Sequence, residues 1–392
     1  MAAGEDAGDS LDSIIIPTIQ EITMSVLGSI LGEFKATPAL WFLVFVPIVL
    51  VYQSVNPTAH TVLFVLSVAA IVPLAITLSK ATESVAAKTG DMVGGLLNAT
   101  LGNLTELVIA LAALRAGQIV LVKASIAGAI VTNVLFMLGA SFLLGGLKFK
   151  VQEFSKVNAR FQTGMLFLAS VALVVPSLLA IRDLSNPGTF VQDLSVAVAV
   201  ILLATYGLGL LFSLKTHKSF YTPESPAEDH AEEPAWPLGA ALPILAIVTL
   251  FVALVSEIFV ESVQEASLAF GMSAPFVGFI VVALVGAAAE MATAFSAARK
   301  NRLDLSVSIA MGSASQIALF IAPVIVLLSY LIAPAPMDLV FWPGAVLMVM
   351  IATTTAALFA NSGRSAWFVG VLLLAVYAVF ASTLYLMPPQ VK

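Results

Sequence analysis

Glu106 and Glu290 are the residues with the most chemistry to explain. Each stands well inside a long apolar run, and neither run offers a basic residue within a turn or two of it. An ionised acid at that depth in hydrocarbon costs about 2.5–3.5 kcal/mol or more, so it needs a partner or a cavity. With no base at hand, the counter-charge must come from outside the chain, as a bound cation or as protons. Two carboxylates ringed by amide and hydroxyl oxygens form a hard-oxygen site, the kind Ca2+ prefers with about six to eight ligands. Softer metals would ask for His or Cys. The chain has no cysteine, and its histidines, His60, His217 and His230, are scattered in loops. Desolvation and mutual repulsion both oppose two ionised carboxylates side by side, so at least one proton rebinds near neutral pH when the cation leaves, and the two titrate as a pair. The chemistry this allows is exchange, cation or protons at one place.

The surroundings of the two glutamates repeat each other. Glu106-Leu-Val-Ile-Ala110-Leu-Ala-Ala113-Leu-Arg115 lines up with Glu290-Met-Ala-Thr-Ala294-Phe-Ser-Ala297-Ala-Arg299, with the numbered residues matching at the same offsets. Gly102 and Gly286 lie four residues upstream, Ser125-Ile-Ala127 answers to Ser308-Ile-Ala310, and Asn133 and Gln316 stand eight residues beyond those serines. The offset is 184 around the glutamates and 183 afterwards, a one-residue slip in a loop. Internal repetition of this kind governs the fold.

The elements that carry these residues are membrane spans. Apolar residues make up 60% of the 392 and charged residues 10%, against about 45–50% and about 25% in soluble domains. Mean hydropathy is +1.05. A net charge of −6 without Lys/Arg clusters excludes a nucleic-acid partner. Eleven apolar stretches, each long enough for a hydrocarbon core about 30 Å thick, run near 39–55, 60–79, 91–115, 120–145, 162–181, 191–214, 238–260, 273–298, 304–333, 338–360 and 366–387. The reading is an all-α membrane protein with a leading transmembrane helix at 37–59 and five-helix repeats at 60–214 and 238–392. Residues 1–36 form a polar tail and amphipathic segment, with 14–31 read as an interfacial helix. Residues 215–237 form an acidic linker holding Pro223, Pro226 and Pro234, read as a disordered tether.

An odd number of spans per repeat forces the two copies into opposite orientations. Inverted repeats place substrate sites near the midplane at the repeat interface, on helices interrupted by Gly or polar residues. Gly102-Asn103 and Gly286 are expected to interrupt the third and eighth spans. The fourth and ninth carry Gly128, Thr132 and Asn133, or Gly312, Ser313, Ser315 and Gln316. Thirteen bases fall on one side of the membrane and four on the other. The excess predicts that the amino terminus and the linker are cytoplasmic and the carboxyl terminus lies on the opposite side.

At this point the residues resemble a known family. Gly94-Gly-Leu-Leu-Asn98-Ala-Thr-Leu-Gly102-Asn103-Leu-Thr-Glu106-Leu, Phe276 to Glu290, Asp304-Leu and Gly312-Ser-Ala-Ser-Gln316-Ile-Ala-Leu-Phe320 resemble the signature repeats of the cation/proton exchangers, the Ca2+/H+ antiporters of the Ca2+/cation antiporter superfamily. The resemblance covers spans two to eleven. It implies that Glu106 and Glu290 bind the cation and carry protons, with Asn98, Asn103, Asn133, Ser313 and Gln316 as polar ligands or pathway residues. It also implies export of cytosolic Ca2+ driven by protons, with no cofactor. Two positions depart from it. Where the family's second motif reads Gly-Asn-Ala-Ala-Glu-His, this chain has Gly286-Ala287-Ala288-Ala289-Glu290-Met291.

Other readings stay open beside this one. A Na+(K+)/H+ or Na+/Ca2+ exchanger fits the same scaffold, and a cation channel is a different class. An enzyme is disfavoured, since the chain lacks Walker A, HExxH and GxSxG sequences. Glu83, Glu257, Glu261 and Glu265, near the ends of the second and seventh spans, either line entry paths or are solvated helix ends. For the amides and hydroxyls the plain alternative is interhelical hydrogen bonding, worth about 0.6 kcal/mol each. The expected partners are Ca2+, protons and membrane lipid, and assembly into a homo-oligomer stays open.

Overall fold

In lipid every backbone N–H and C=O must be satisfied within the protein, so long apolar runs become helices. The structure is a computed structural model describing residues 37–180, 187–217 and 236–387. Among them nine helices are long and apolar enough to cross a membrane, and two bent pairs bring the number of spans to eleven. The polar tail with its 14–31 segment and most of the acidic linker, including His230, lie outside the described residues.

The leading helix is α1, Pro38–Val55. The first repeat follows as α2 (His60–Lys88), the bent pair α3 (Asp91–Leu101) and α4 (Leu104–Arg115), α5 (Ile119–Phe149), α6 (Lys156–Ala180) and α7 (Pro187–Leu211), the last extended by a π-turn over Phe212–Thr216. The second repeat is α8 (Leu238–Ala269), the bent pair α9 (Ala274–Gly286) and α10 (Ala288–Arg299), α11 (Leu303–Ile332), α12 (Pro343–Ala360) and α13 (Trp367–Leu386). The order is the same in both: one long helix, a bent pair, a long helix with a π-turn in its middle, then two more. Those π-turns are Thr132–Met137 in α5 and Ile317–Ile321 in α11, and α9 carries another, Val277–Val282, that α3 lacks. The first helices of the repeats, 29 and 32 residues long, pack against each other. At about 1.5 Å per residue both outrun a hydrocarbon core about 30 Å thick.

One face of the bundle gathers the ends of α2, α5 and α10 and the starts of α6, α8 and α11; it is called the linker face below. A short ribbon fixes part of it, with β1 (Val151–Glu153) antiparallel to β2 (Arg364–Ala366) and Val151 opposite Ala366. Gln152 Nε2 donates to Ala298 O at 3.0 Å, and Lys148 Nζ to Arg299 O at 3.1 Å.

The opposite face carries Arg115. There Gln118 Nε2 donates to Val260 O at 2.8 Å, and Lys123 Nζ pairs with Asp338 at 2.5 Å and with Val340 O at 2.8 Å. Residues 337–341 form an irregular segment whose Met337, Leu339 and Phe341 are buried. Their N–H groups donate to Ser329, Ser195 and Ser177 Oγ at 2.8, 2.9 and 2.9 Å. Three serines on three helices thus satisfy a backbone stretch that has no helix of its own.

Candidate functional site

Both bends fall where the sequence places them. The α3–α4 pair turns by 42° at Gly102-Asn103 and the α9–α10 pair by 60° at Gly286-Ala287. Each break starts a new helix three residues before the glutamate ends its first turn, so Glu106 and Glu290 occupy the third position of α4 and of α10. The free N–H groups and the positive dipole end of such a helix favour a carboxylate by about 0.3–1 kcal/mol, and up to about 2 kcal/mol when partly buried. That is less than the cost of ionising an acid in the bilayer interior, about 2.5–3.5 kcal/mol or more. The helix ends alone do not hold two negative charges.

Three of the four carboxylate oxygens have no protein partner. Oε1 and Oε2 of Glu106 and Oε2 of Glu290 are shut off from solvent without a hydrogen bond. Glu106 is pressed against the second repeat at Gly286, where a Cβ would stand 2.9 Å from Glu106 Cγ and 3.3 Å from Cδ. Only glycine leaves that room. Beside Glu106 is a cavity of about 20 Å3, lined also by Ser125, Ile126, Ala129, Val282, Ala283 and Ile317. It has space for one water-sized species.

Four of the amide and hydroxyl residues singled out in the sequence form one connected chain. Asn103 Nδ2 donates to Gln316 Oε1. Ser313 Oγ donates to Asn103 Oδ1 at 2.5 Å, and Asn133 Nδ2 donates to Ser313 Oγ at 2.9 Å. The chain crosses between the repeats, tying the α3–α4 break and α5 to α11. Asn133 Oδ1 is left buried and unpaired. Asn98 stands outside this chain and is exposed. The 3.6-residue period that would carry it onto the face of Glu106 is interrupted by the bend between them.

The four outlying acids differ from one another. Glu83 is exposed and accepts from Ser79 Oγ at 3.0 Å. Glu257 pairs with Arg115 at 3.0 Å, Glu261 accepts from Gln53 Nε2 at 3.4 Å, and Glu265 is exposed. Among the described residues no group of three or more His, Asp or Glu side chains converges on one point. A cation here would be held by two carboxylates, amides, hydroxyls and water.

Sequence reasoning missed several supports. Tyr206 Oη donates to Ala99 O at 2.6 Å, bracing α3 from α7, and Tyr377 meets the buried Thr132 hydroxyl at 3.1 Å. The π-turns beside Asn133 and Gln316 have no residue signature in the chain. Gly286 was visible only as a helix breaker, although its second role is to admit Glu106.

The two halves of the site are covered differently. On the Arg115 face α9 lies against α5 so closely that a Cβ on Gly128 would be 2.2 Å from Phe279 O, and one on Gly278 2.5 Å from Ala124 Cβ. The inverted counterpart, α3 against the first half of α11, has no comparable packing; α3 lies along α2 instead. Val93 and Leu96 of α3 are 52% and 47% exposed, while their repeat mates Val277 and Ile280 of α9 are 0% and 7%. The α9 flank, beside Glu106, is sealed, and the α3 flank, where Val93, Leu96 and Asn98 are exposed, is uncovered toward the linker face.

Comparison with known proteins agrees with this architecture. A family model described as sodium/calcium exchanger protein matches residues 59–215 and again 240–386, one match per repeat. A Ca(2+)/H(+) antiporter of Synechocystis sp. is 39% identical over 368 residues, covering 88% of this chain and 98% of its own. The Ca(2+)/H(+) antiporter ChaA of Bacillus subtilis is 39% identical over 328 residues, covering 83% and 92%. The solved structure of native YfkE superposes with a TM-score of 0.75 at 34% identity, over 88% of this chain and all of the other. With both halves matching one family and whole antiporters aligned along its length, the chain belongs to the sodium/calcium exchanger family, in its cation/proton exchanger branch.

Proposed function

We propose that the protein is a secondary antiporter that exports cytosolic Ca2+ in exchange for protons, with Glu106 and Glu290 as the shared site. The observation that carries this reading is the pair of glutamates at matched helix starts, with three carboxylate oxygens buried and unpartnered. Two such groups repel each other, so the site is neutralised by a divalent cation or by protons in turn. That alternation couples the two fluxes: neither repeat can rearrange cheaply around an uncompensated charge in hydrocarbon. Relatives named as Ca2+/H+ antiporters across nearly their whole length support the choice of ions.

Glu106 and Glu290 bind the cation and carry the protons. Asn133 Oδ1, buried and unpaired, is a further candidate ligand, while Asn103, Ser313 and Gln316 hold the broken helices in register. Ca2+ asks for about six to eight oxygens, so water or backbone carbonyls freed at the breaks complete the shell. Asn98 and Glu83 lie on the uncovered flank as pathway residues; Glu257 and Glu265 are the weaker candidates on the other. The excess of basic residues on the linker face supports a cytoplasmic side for it.

One observation favours a second reading. Ala287 and Met291 are buried beside Glu290, where the resembled motif carries an amide and an imidazole. Fewer oxygen donors and one less titratable group would suit a monovalent cation, as in a Na+(K+)/H+ or Na+/Ca2+ exchanger. The experiment is 45Ca2+ uptake by purified protein in liposomes, driven by a pH jump without Na+ or K+. Accumulation against the Ca2+ gradient is expected. Uptake that needs Na+, or that only equilibrates Ca2+, would favour the second reading or a channel.

A further inference from the structure

The linker-face half of the bundle holds polar groups that the exchange site does not use. α6 and α11 both start at the linker face and run inward side by side. At the surface Asp304 Oδ1 accepts from the Ser155 N–H at 2.8 Å. One turn deeper Asn158 Nδ2 donates to Ser308 Oγ at 2.7 Å. A further turn in, Gln162 lies against Gly312, its Nε2 4.0 Å from where a Cβ on that glycine would stand. The next residue of α11, Ser313, belongs to the hydrogen-bonded chain with Asn103 and Asn133. The ladder therefore leads from the surface to the centre.

Two of its rungs are incomplete. Asn158 Oδ1 and Gln162 Oε1 are shut off from solvent and have no partner. Buried amide oxygens are nearly always paired in folded proteins, so two in succession on one helix, one turn apart, call for an explanation. Toward the Arg115 face the unpartnered amide atoms, Gln53 Oε1 and Gln192 Nε2, stand on separate helices and form no such succession. α12, which occupies the place of α6 in the second repeat, is apolar throughout from Pro343 to Ala352. The cavity beside Glu106 offers only one hydroxyl, Ser125, which donates to Val122 O of its own helix at 2.8 Å.

We propose that Asn158 and Gln162 are transient oxygen ligands on a one-sided entry route, by which a partly dehydrated divalent cation passes from the linker face to Glu290. The proposal rests on the antiport reading above and adds a pathway and a side to it. A hard cation gives up hydration water only where other oxygens replace it. Neutral amides spaced about 6 Å apart, four residues at about 1.5 Å each, supply such steps. They bind weakly enough to release the ion inward, which a third carboxylate would not. The side that must capture a dilute cation carries these steps, and the side that releases it does not.

The test compares initial rates of 45Ca2+ uptake by the full-length protein in membrane vesicles of both orientations. Gln162→Leu should raise the KM for Ca2+ about tenfold, and Asn158→Leu about threefold, when the linker face meets the Ca2+, with the maximum rate kept. From the Arg115 face the KM should not change. Gln162→Glu, which keeps an oxygen, should hold the linker-face KM at or below its original value and lower the maximum rate, since a carboxylate releases the ion less readily. In the leucine variants a merely structural role would lower the maximum rate or move both faces together, and either result overturns the proposal, as does an unchanged linker-face KM. If the unaltered protein takes up no Ca2+ under a pH gradient, the antiport reading falls and this route with it. Normal uptake with indifferent variants removes the route alone.

Discussion

The α9 flank beside Glu106 and the α3 flank are built from the same sequence plan, turned over. One is closed by glycine-mediated contact between α5 and α9, by the Lys123–Asp338 pair and by the serine-tethered segment at residues 337–341. The other lacks the matching contact between α3 and α11 and exposes Asn98. Two copies of one motif thus occupy two conformations in a single molecule. A site between them opens to one face at a time if the copies can exchange conformations. The lining also differs in kind, since Val282 beside Glu106 is the repeat mate of Asn98.

The comparison can be broken most severely at its centre. Glu106→Gln or Glu290→Gln should each reduce pH-driven Ca2+ uptake by at least about 100-fold while leaving the protein folded, because either change removes half of the charge that makes cation and proton alternatives. Gel filtration and thermal melting in detergent check the fold. Uptake close to normal in either variant would mean that the exchange site lies elsewhere.

The next largest effect separates the two flanks. Gly128→Ala places a Cβ 2.2 Å from Phe279 O, whereas Gly312→Ala meets only Gln162 Nε2 at 4.0 Å. Overpacking of this kind costs about 1–3 kcal/mol, so Gly128→Ala should lower the melting temperature by several degrees and Gly312→Ala by almost none. Equal losses in the two variants would contradict the described difference in packing.

Accessibility sharpens the same contrast without altering stability much. Since the chain has no cysteine, Asn98→Cys and Val282→Cys can be labelled singly with a membrane-impermeant thiol reagent. The first should react from the linker face at least about tenfold faster than the second, because the thiol must be reached by a water-borne reagent. Comparable rates would show that the flanks exchange freely or that both are closed.

The smallest effect belongs to the Arg115–Glu257 pair on the sealed side. Its side chains are 75% and 49% exposed, and exposed ion pairs contribute about 0–1 kcal/mol. Glu257→Gln should leave melting and the maximum uptake rate within about a factor of two. A collapse of transport would promote Glu257 from a surface acid to part of the path.

Much of this arrangement was legible beforehand. The matched strings around Glu106 and Glu290 gave the repeat, Gly102-Asn103 and Gly286 gave the bends, and the amides and hydroxyls at Asn103, Asn133, Ser313 and Gln316 proved to share one hydrogen-bonded chain. Helix periodicity was the weaker guide where a bend intervened, which is why Asn98 stands apart from Glu106. Asn158 lay just outside the span expected at 162–181, although its Nδ2 reaches Ser308 inside the bundle. Glu83 and Glu257 looked equivalent by position. One accepts from Ser79 of its own helix and the other is tied to Arg115 across the bundle, because the partner depends on which helix packs beside it.

Composition and pattern by themselves determined a membrane protein of helices in two inverted sets, because the need to satisfy the backbone in hydrocarbon and the odd number of spans per repeat are local or topological constraints. They also set two acids inside apolar runs with no base within two turns of either. Only the tertiary structure decided which flank is sealed and which partner each polar group takes. Two nearly equivalent packings of one motif differ by few contacts, and that choice is made between helices far apart in the chain.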